Sequence, residues 1–105
     1  MAAKPKTRDR RNSVATAVGQ RIKACRIEAG LSQEELAFDA HLDRTRVGAI
    51  ERGDANPTVE TLAQIAFVLG MTLSQLFEPL HVSLRPDGDR KAIPVSPEPK
   101  PRRLR

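Results

Sequence analysis

The chain has 105 residues, a formal net charge of +5, one cysteine, no tryptophan and no tyrosine. That length suits a single domain, the lone Cys25 excludes an internal disulfide, and no apolar run is long enough to cross a membrane or serve as a secretory signal, so a cytoplasmic protein without a disulfide framework is expected. Aromatic residues make up 3% of the chain, which argues against single-strand and RNA binders that stack bases on aromatic platforms.

Residues 1–12 carry Lys4, Lys6, Arg8, Arg10 and Arg11 against Asp9 alone, a net +4, and read as a disordered basic arm. The domain is expected over 13–79, with a net charge of −3. Its first helix starts at Ser13 as N-cap and buries Val14, Val18, Ile22, Cys25 and Ala29, a face with gaps of four and three. Gly30 ends it in a left-handed conformation. Ser32-Gln33-Glu34-Glu35 then forms a capping box for a second helix that runs to about Ala40, with Leu36 and Ala37 inward.

His41 sits in a turn anchored by Leu42. A third helix runs from Asp43 or Arg44 to about Arg52, with Gly53 as its C-terminal stop. After the turn-forming loop Asp54-Ala55-Asn56-Pro57, Thr58 caps a fourth helix burying Leu62, Ile65, Ala66 and Leu69 and closing at Gly70. A short fifth helix carries Leu73, Leu76 and Phe77 and is stopped by Pro79. Residues 80–105 hold seven cations against Asp87, Asp89 and Glu98, again a net +4. His81 to Leu84 could form a short strand and Pro86-Asp87-Gly88 a turn, and residues 91–105 read as disordered and partly polyproline-like, so 80–105 is taken as a Pro-rich basic tail.

The segment Gln33–Arg52 carries the most information. Apolar positions at Leu36, Ala37, Leu42, Val47 and Ile50 bury one side of two short helices against each other and leave the start of the second facing outward. A helix presented this way fits the major groove of DNA with its N-terminal side chains at base edges. Because the basic character belongs to the tails, DNA binding by the domain has to rest on the placement of Arg21, Lys23, Arg26, Arg44, Arg46 and Arg52.

Residues 18–77 resemble the lambda-repressor-like, Cro-type helix-turn-helix domain, also called the XRE family. The matching pieces are GQRIKACRIEAGLSQEELA, DRTRVGAIERG, NPTVETLAQIAFVLGM and LSQLF, in order and at the family's spacing. Within the family, FDAHLDRTRVGAIERG is similar to the controller proteins of restriction–modification systems. The resemblance implies an all-α, five-helix DNA-binding domain, usually dimeric, that represses or activates transcription.

Candidate site residues follow. Arg44, Thr45 and Arg46 open the recognition helix. Arginine can donate two hydrogen bonds to guanine and the threonine methyl can meet thymine, and two cations at a helix N-terminus oppose the dipole, which favours a functional reason for them. Which of the three touches bases is left open. Ala49 shares their outward face and packs on a thymine methyl or permits close approach. Gly48 is unexplained inside a short helix. The resemblance implies phosphate contacts from Ser32 and Gln33, at a helix N-terminus that already favours anions, and from Arg52 and Asn56 around the following loop. It also implies a structural ion pair between Arg26 and Glu51 and a two-fold dimer seam on Leu73, Leu76 and Phe77. Cys25 is read as a small core residue. His41 departs from the family's usual turn glycine, which puts a non-glycine residue where positive φ is expected. No catalytic residue, metal or cofactor is expected.

The function these features support is a sequence-specific, double-stranded DNA-binding regulator acting as a homodimer on a near-palindromic operator. The alternative is an antitoxin-like or protein-interaction module whose domain or C-terminal tail chiefly binds a protein partner.

Overall fold

The computed structural model describes residues 13–88 and 91–96. The arm expected at 1–12 and the end of the tail at 97–105 lie outside the described residues. Five helices follow in order, α1 (Val14–Glu28), α2 (Gln33–Asp39), α3 (Arg44–Arg52), α4 (Val59–Val68) and α5 (Leu73–Phe77). No helix among the described residues is long and apolar enough to cross a membrane.

Local chemistry sets each helix start. The Ser13 hydroxyl accepts from the Thr16 N–H at 3.0 Å and begins α1. The Ser32 hydroxyl accepts from the Glu35 N–H at 3.0 Å while the Glu35 carboxylate accepts from the Ser32 N–H at 2.8 Å, a complete capping box. Thr58 caps α4 through the Thr61 N–H. Thr72 and Gln75 make a second reciprocal box at α5, with the Gln75 amide oxygen in the place of the carboxylate. Asp43 precedes α3 without a side-chain cap bond, so that helix start is the least tied of the five. Positive φ flanks the recognition helix on both sides, at His41 in the α2–α3 turn, φ 58, and at Gly53 at the end of α3, φ 80.

The core is made by Ile22, Leu36, Val47, Ile50, Ile65 and Leu76, all fully buried, with Cys25, Ala37, Ala40 and Ala66 between them. α3 packs against both α1 and α2, and α5 against α1 and α4. Gly19 makes the α1–α3 approach possible: a Cβ there would collide with the Ile50 carbonyl and lie 2.7 Å from the Glu51 carbonyl. Val18, Leu42, Leu62 and Leu69 are partly buried against this core. Ala29, expected on the buried face of α1, is exposed because it is the helix C-cap and the chain has already turned toward Gly30.

Leu76 requires a correction. It was expected in a dimer seam, but it is 0% exposed and belongs to the core of one chain, so it cannot face a second copy. The helix is only five residues long, and its single inward position falls on the middle of the expected stripe.

Beyond Pro79 the short strand expected within His81–Leu84 is present, but residues 93–94, read as part of a disordered stretch, pair with it. β1 (Val82–Ser83) pairs antiparallel with β2 (Ile93–Pro94), Val82 opposite Pro94 and Ser83 opposite Ile93. The Val95 N–H donates to the His81 carbonyl at 2.8 Å, and Lys91 forms a bridge to Ser13. Pro94 does not forbid this pairing, because in a two-stranded sheet each strand is an edge that can spare a donor. The β-branched Ile93 and Val95 supply the strand preference that the surrounding prolines obscured.

Candidate nucleic-acid interface

At about 100° per residue, α3 directs Val47, Ile50 and Glu51 to the core and Arg52, Thr45 and Ala49 to the opposite side, with Arg44 and Arg46 on its two edges and Gly48 buried beneath Gln33 and Arg52. Burial follows this wheel. Val47, Ile50 and Glu51 are buried, Ala49 is half-buried, and Arg44, Thr45, Arg46 and Arg52 are exposed. The outward start of the third helix therefore presents two guanidinium groups flanking a threonine and an alanine, a set able to meet guanine acceptors and thymine methyls.

Behind this face lies a buried ionic clasp. Arg26 and Glu51 are 9% and 5% exposed. Arg26 Nε donates to Glu51 Oε2 at 2.7 Å and its Nη2 donates to Oε1 at 3.0 Å. The remaining Arg26 Nη1 donates to the Leu31 carbonyl at 2.8 Å. The hydrogen bonds to Glu51 raise the Arg26 pKa above its ordinary value, against the opposing effect of burial. The clasp ties α1 to α3 and also to the loop that leads into α2, so three elements share one charge pair. No buried side-chain nitrogen or oxygen among the described residues lacks a hydrogen-bond partner.

The Glu51 carboxylate also reaches the front of the domain. Gln33 Nε2 donates to Glu51 Oε1 at 3.0 Å. This fixes which end of the Gln33 amide points inward and leaves its second N–H for another acceptor. Sequence reasoning assigned Glu51 to Arg26 alone; its second partner had no linear signal, since Gln33 and Glu51 are brought together only by the α2–α3 turn.

Gly48 is explained by the same neighbourhood. A Cβ on Gly48 would lie 3.2 Å from Arg52 Nη1 and 3.8 Å from Gln33 Oε1. The glycine is thus the floor on which the Gln33 amide and the Arg52 guanidinium converge. Arg52 also donates through Nε to Asp54 Oδ2 at 3.1 Å, a pair whose side chains are 63% and 28% exposed. Water screens so exposed a pair, which positions the guanidinium more than it stabilises the fold.

Ser32 is exposed at the start of α2. Its oxygen is engaged by the Glu35 N–H, so an anion at this helix start meets chiefly the backbone N–H groups of the first turn. Hydrogen bonds from Ser32 to the Glu35 carboxylate depress the Glu35 pKa below its ordinary value, the Ser32 backbone N–H first and its hydroxyl second. Asn56 is exposed on the loop after α3. The structure gathers Ser32, Gln33, Gly48 and Arg52 along one seam between α2 and α3, with Asn56 four residues past Arg52. Among the described residues no group of His, Cys, Asp or Glu side chains is placed to hold a metal ion.

Comparison with known proteins places this geometry. The model of the helix-turn-helix family matches residues 22–76, just over half of the chain. The immunity repressor protein of Bacillus phage phi105 is 46% identical over 59 residues, 56% of this chain and 41% of that protein. The control protein C.MunI of a Mycoplasma species is 39% identical over 71 residues, 67% of this chain and 96% of that protein. The chain thus spans less than half the length of the phage repressor but nearly all of the control protein. Among solved structures, the restriction–modification controller protein C.Esp1396I, crystallised as a tetramer with its natural 35 base-pair operator, superimposes with a TM-score of 0.59 at 38% identity, covering 63% of this chain and 87% of that one.

Proposed function

The chain belongs to the helix-turn-helix family, and from that membership we propose that it is a transcriptional regulator that binds double-stranded DNA in a sequence-specific manner as a homodimer. The observation that carries this reading is the exposed first turn of α3, Arg44-Thr45-Arg46, held outward by the buried Arg26–Glu51 clasp. Arg44, Thr45, Arg46 and Ala49 read base edges. Gln33, Ser32, Arg52 and Asn56 grip the flanking phosphates and set the register of the helix in the groove. Two such helices enter successive major grooves about 34 Å apart on a near-palindromic operator. No catalytic step belongs to this reading.

The dimer seam moves from α5 to α4. Val59 and Phe67 are 69% and 83% exposed, and with the exposed Ala63 between them they form an apolar stripe at a spacing of four residues. Leu73 and Phe77 are each half-buried and border that stripe less fully than expected. The relative that assembles as a tetramer on its operator supports an oligomeric arrangement, and the basic segments at both ends of the chain add salt-sensitive affinity for phosphates. The protein acts in the cytoplasm, where its DNA lies.

Selection of bound sites from a pool of random DNA duplexes at near-physiological salt tests the reading. Recovery of a two-fold symmetric motif supports it and gives the half-site spacing. Binding that enriches no motif and disappears as salt is added would reduce the protein to non-specific adhesion through its basic ends.

A further inference from the structure

A cavity of about 580 Å³ lies between the start of α1 and the loop that follows the recognition helix. Its apolar walls are Val14, Val18, Leu62, Phe77, Leu80 and Val82. Each of these side chains is half-buried. The family match covers residues 22–76, so of these six only Leu62 falls within it. The start of α1, the loop after α3 and the segment that follows α5 converge to build the cavity, and β1 supplies the last wall. Leu80 and Val82, which lie beyond the five helices, thus complete a cavity whose other walls belong to the helical domain.

Its polar end is the loop that follows the recognition helix, through Asp54 and Asn56. The Asp54 carboxylate accepts from Arg52 Nε, so the negative charge at that end already has a cation beside it. The hairpin is also joined to α3 by short steps. Lys91 bridges to Ser13, the Ser13 hydroxyl donates to Thr16 Oγ1 at 2.8 Å, and Gly53, the C-cap of α3, packs so tightly on Thr16 that a Cβ would lie 2.5 Å from the same oxygen. A molecule wedged between the hairpin and α1 therefore presses on the residue that ends the recognition helix.

We propose that this cavity is an effector site for a small, uncharged, largely apolar molecule, and that its occupancy changes the affinity of the protein for DNA. The volume falls within the range of about 300–1,000 Å³ that holds compounds of that size. The apolar walls favour a hydrocarbon or aromatic body, and Asn56 offers an amide to one polar group on it. The regulatory clause rests on the DNA-binding reading; the binding clause does not.

The test uses the full chain and the uncharged fluorescent probe N-phenyl-1-naphthylamine, first without DNA. The expected result is saturable binding of one probe per chain. Ala15→Trp on α1 and Val82→Trp on β1 fill the cavity from two of its lining elements, and each should weaken the probe by roughly tenfold or more while circular dichroism shows the helices intact. Non-saturating binding, or saturable binding that both variants leave unchanged, overturns the site. If both variants instead turn a dimer into a monomer in sedimentation, the cavity is filled by a second copy and the proposal fails. With a selected operator, saturating probe should shift DNA affinity by about fivefold or more, and DNA should shift probe affinity by the same factor. Probe binding with no such shift overturns the regulatory clause. Failure to select any operator strikes the DNA-binding reading and that clause with it, while the probe titration still decides the site.

Discussion

The Arg26 guanidinium meets the Glu51 carboxylate side-on, Nε to Oε2 at 2.7 Å and Nη2 to Oε1 at 3.0 Å, with both groups withdrawn from solvent. Removing one partner strands the other charge in the interior. Arg26→Ala is therefore expected to lower stability by about 3–5 kcal/mol in urea unfolding. Replacing both, Arg26→Met with Glu51→Leu, removes the stranded charge and should recover most of that loss. The double variant still loses the acceptor that holds Gln33, so its DNA affinity should stay reduced when its stability returns. Equal recovery of both properties would show that the clasp serves folding alone.

Gly48 separates stability from function in the opposite direction. Alanine suits a helix interior better than glycine, so Gly48→Ala should gain about 0.5 kcal/mol in thermal unfolding. The new methyl would sit 3.2 Å from Arg52 Nη1 and 3.8 Å from Gln33 Oε1. The flexible end of Arg52 can shift to admit it, so the fold is not strained, but both side chains leave their common seat. Operator binding should weaken although the protein melts at a higher temperature. A variant that is more stable and binds DNA as before would remove Gly48, and the seam it floors, from the interface.

The two kinds of arginine on α3 should be separable by what they change. Arg44→Ala at the exposed start of the helix is expected to cost about 1–3 kcal/mol on the best operator and to relax preference at one base position. Arg52→Ala should weaken binding almost evenly across sequences and reduce the slope of log affinity against log salt by about one. Competition binding against single-base operator variants at several salt concentrations distinguishes the two patterns. An exchange of the patterns would swap the roles of the two residues.

What was legible in the sequence is what depends on near neighbours. Ser13, Ser32 and Thr58 cap their helices, and Gly53 ends α3 with positive φ, because those outcomes are decided within a turn or two of chain. His41 takes φ 58 where the family resemblance placed a glycine, so the turn keeps its geometry without the residue that adopts it most easily. What was not legible depends on residues far apart in sequence. The close α1–α3 crossing at Gly19, the seat made by Gly48 and the bond from Gln33 to Glu51 need the assembled fold. Of the hairpin, the strand within His81–Leu84 and the turn at Pro86-Asp87-Gly88 were legible, while the second strand was not, because it is two residues long and contains a proline.

Leu76 and Phe67 show the same limit on the surface side. Both are apolar residues of the C-terminal helices, yet Leu76 is 0% exposed and Phe67 is 83% exposed. Leu76→Asp buries an unpaired carboxylate and should prevent folding, seen as loss of the helical dichroism signal. Phe67→Asp places the same group in water on the α4 stripe. It should leave the fold intact, shift the protein toward monomer in sedimentation and weaken binding to a two-half-site operator far more than to a single half-site. A folded Phe67→Asp protein that remains a dimer at micromolar concentration would move the seam off α4.

Glu35 gives the fold an acid-sensitive contact. Its carboxylate accepts the Ser32 N–H at 2.8 Å, and its pKa is lowered from the ordinary value of 4.5, by the Ser32 backbone first and the Ser32 hydroxyl second. A carboxyl held lower in the folded state stabilises the protein above its unfolded pKa and loses that contribution as pH falls through the folded one. Glu35→Gln keeps an oxygen acceptor in the same place, as Gln75 does in the matching box of α5, but removes the titration. The stability difference between the native protein and this variant should be present at neutral pH and close as pH falls below 4.5. Melting curves from neutral pH to about 3 measure it, at low salt because the group is fully exposed. A difference that does not change across that range would mean that the Ser32 N–H is indifferent to the charge on its partner and that the box holds by geometry alone.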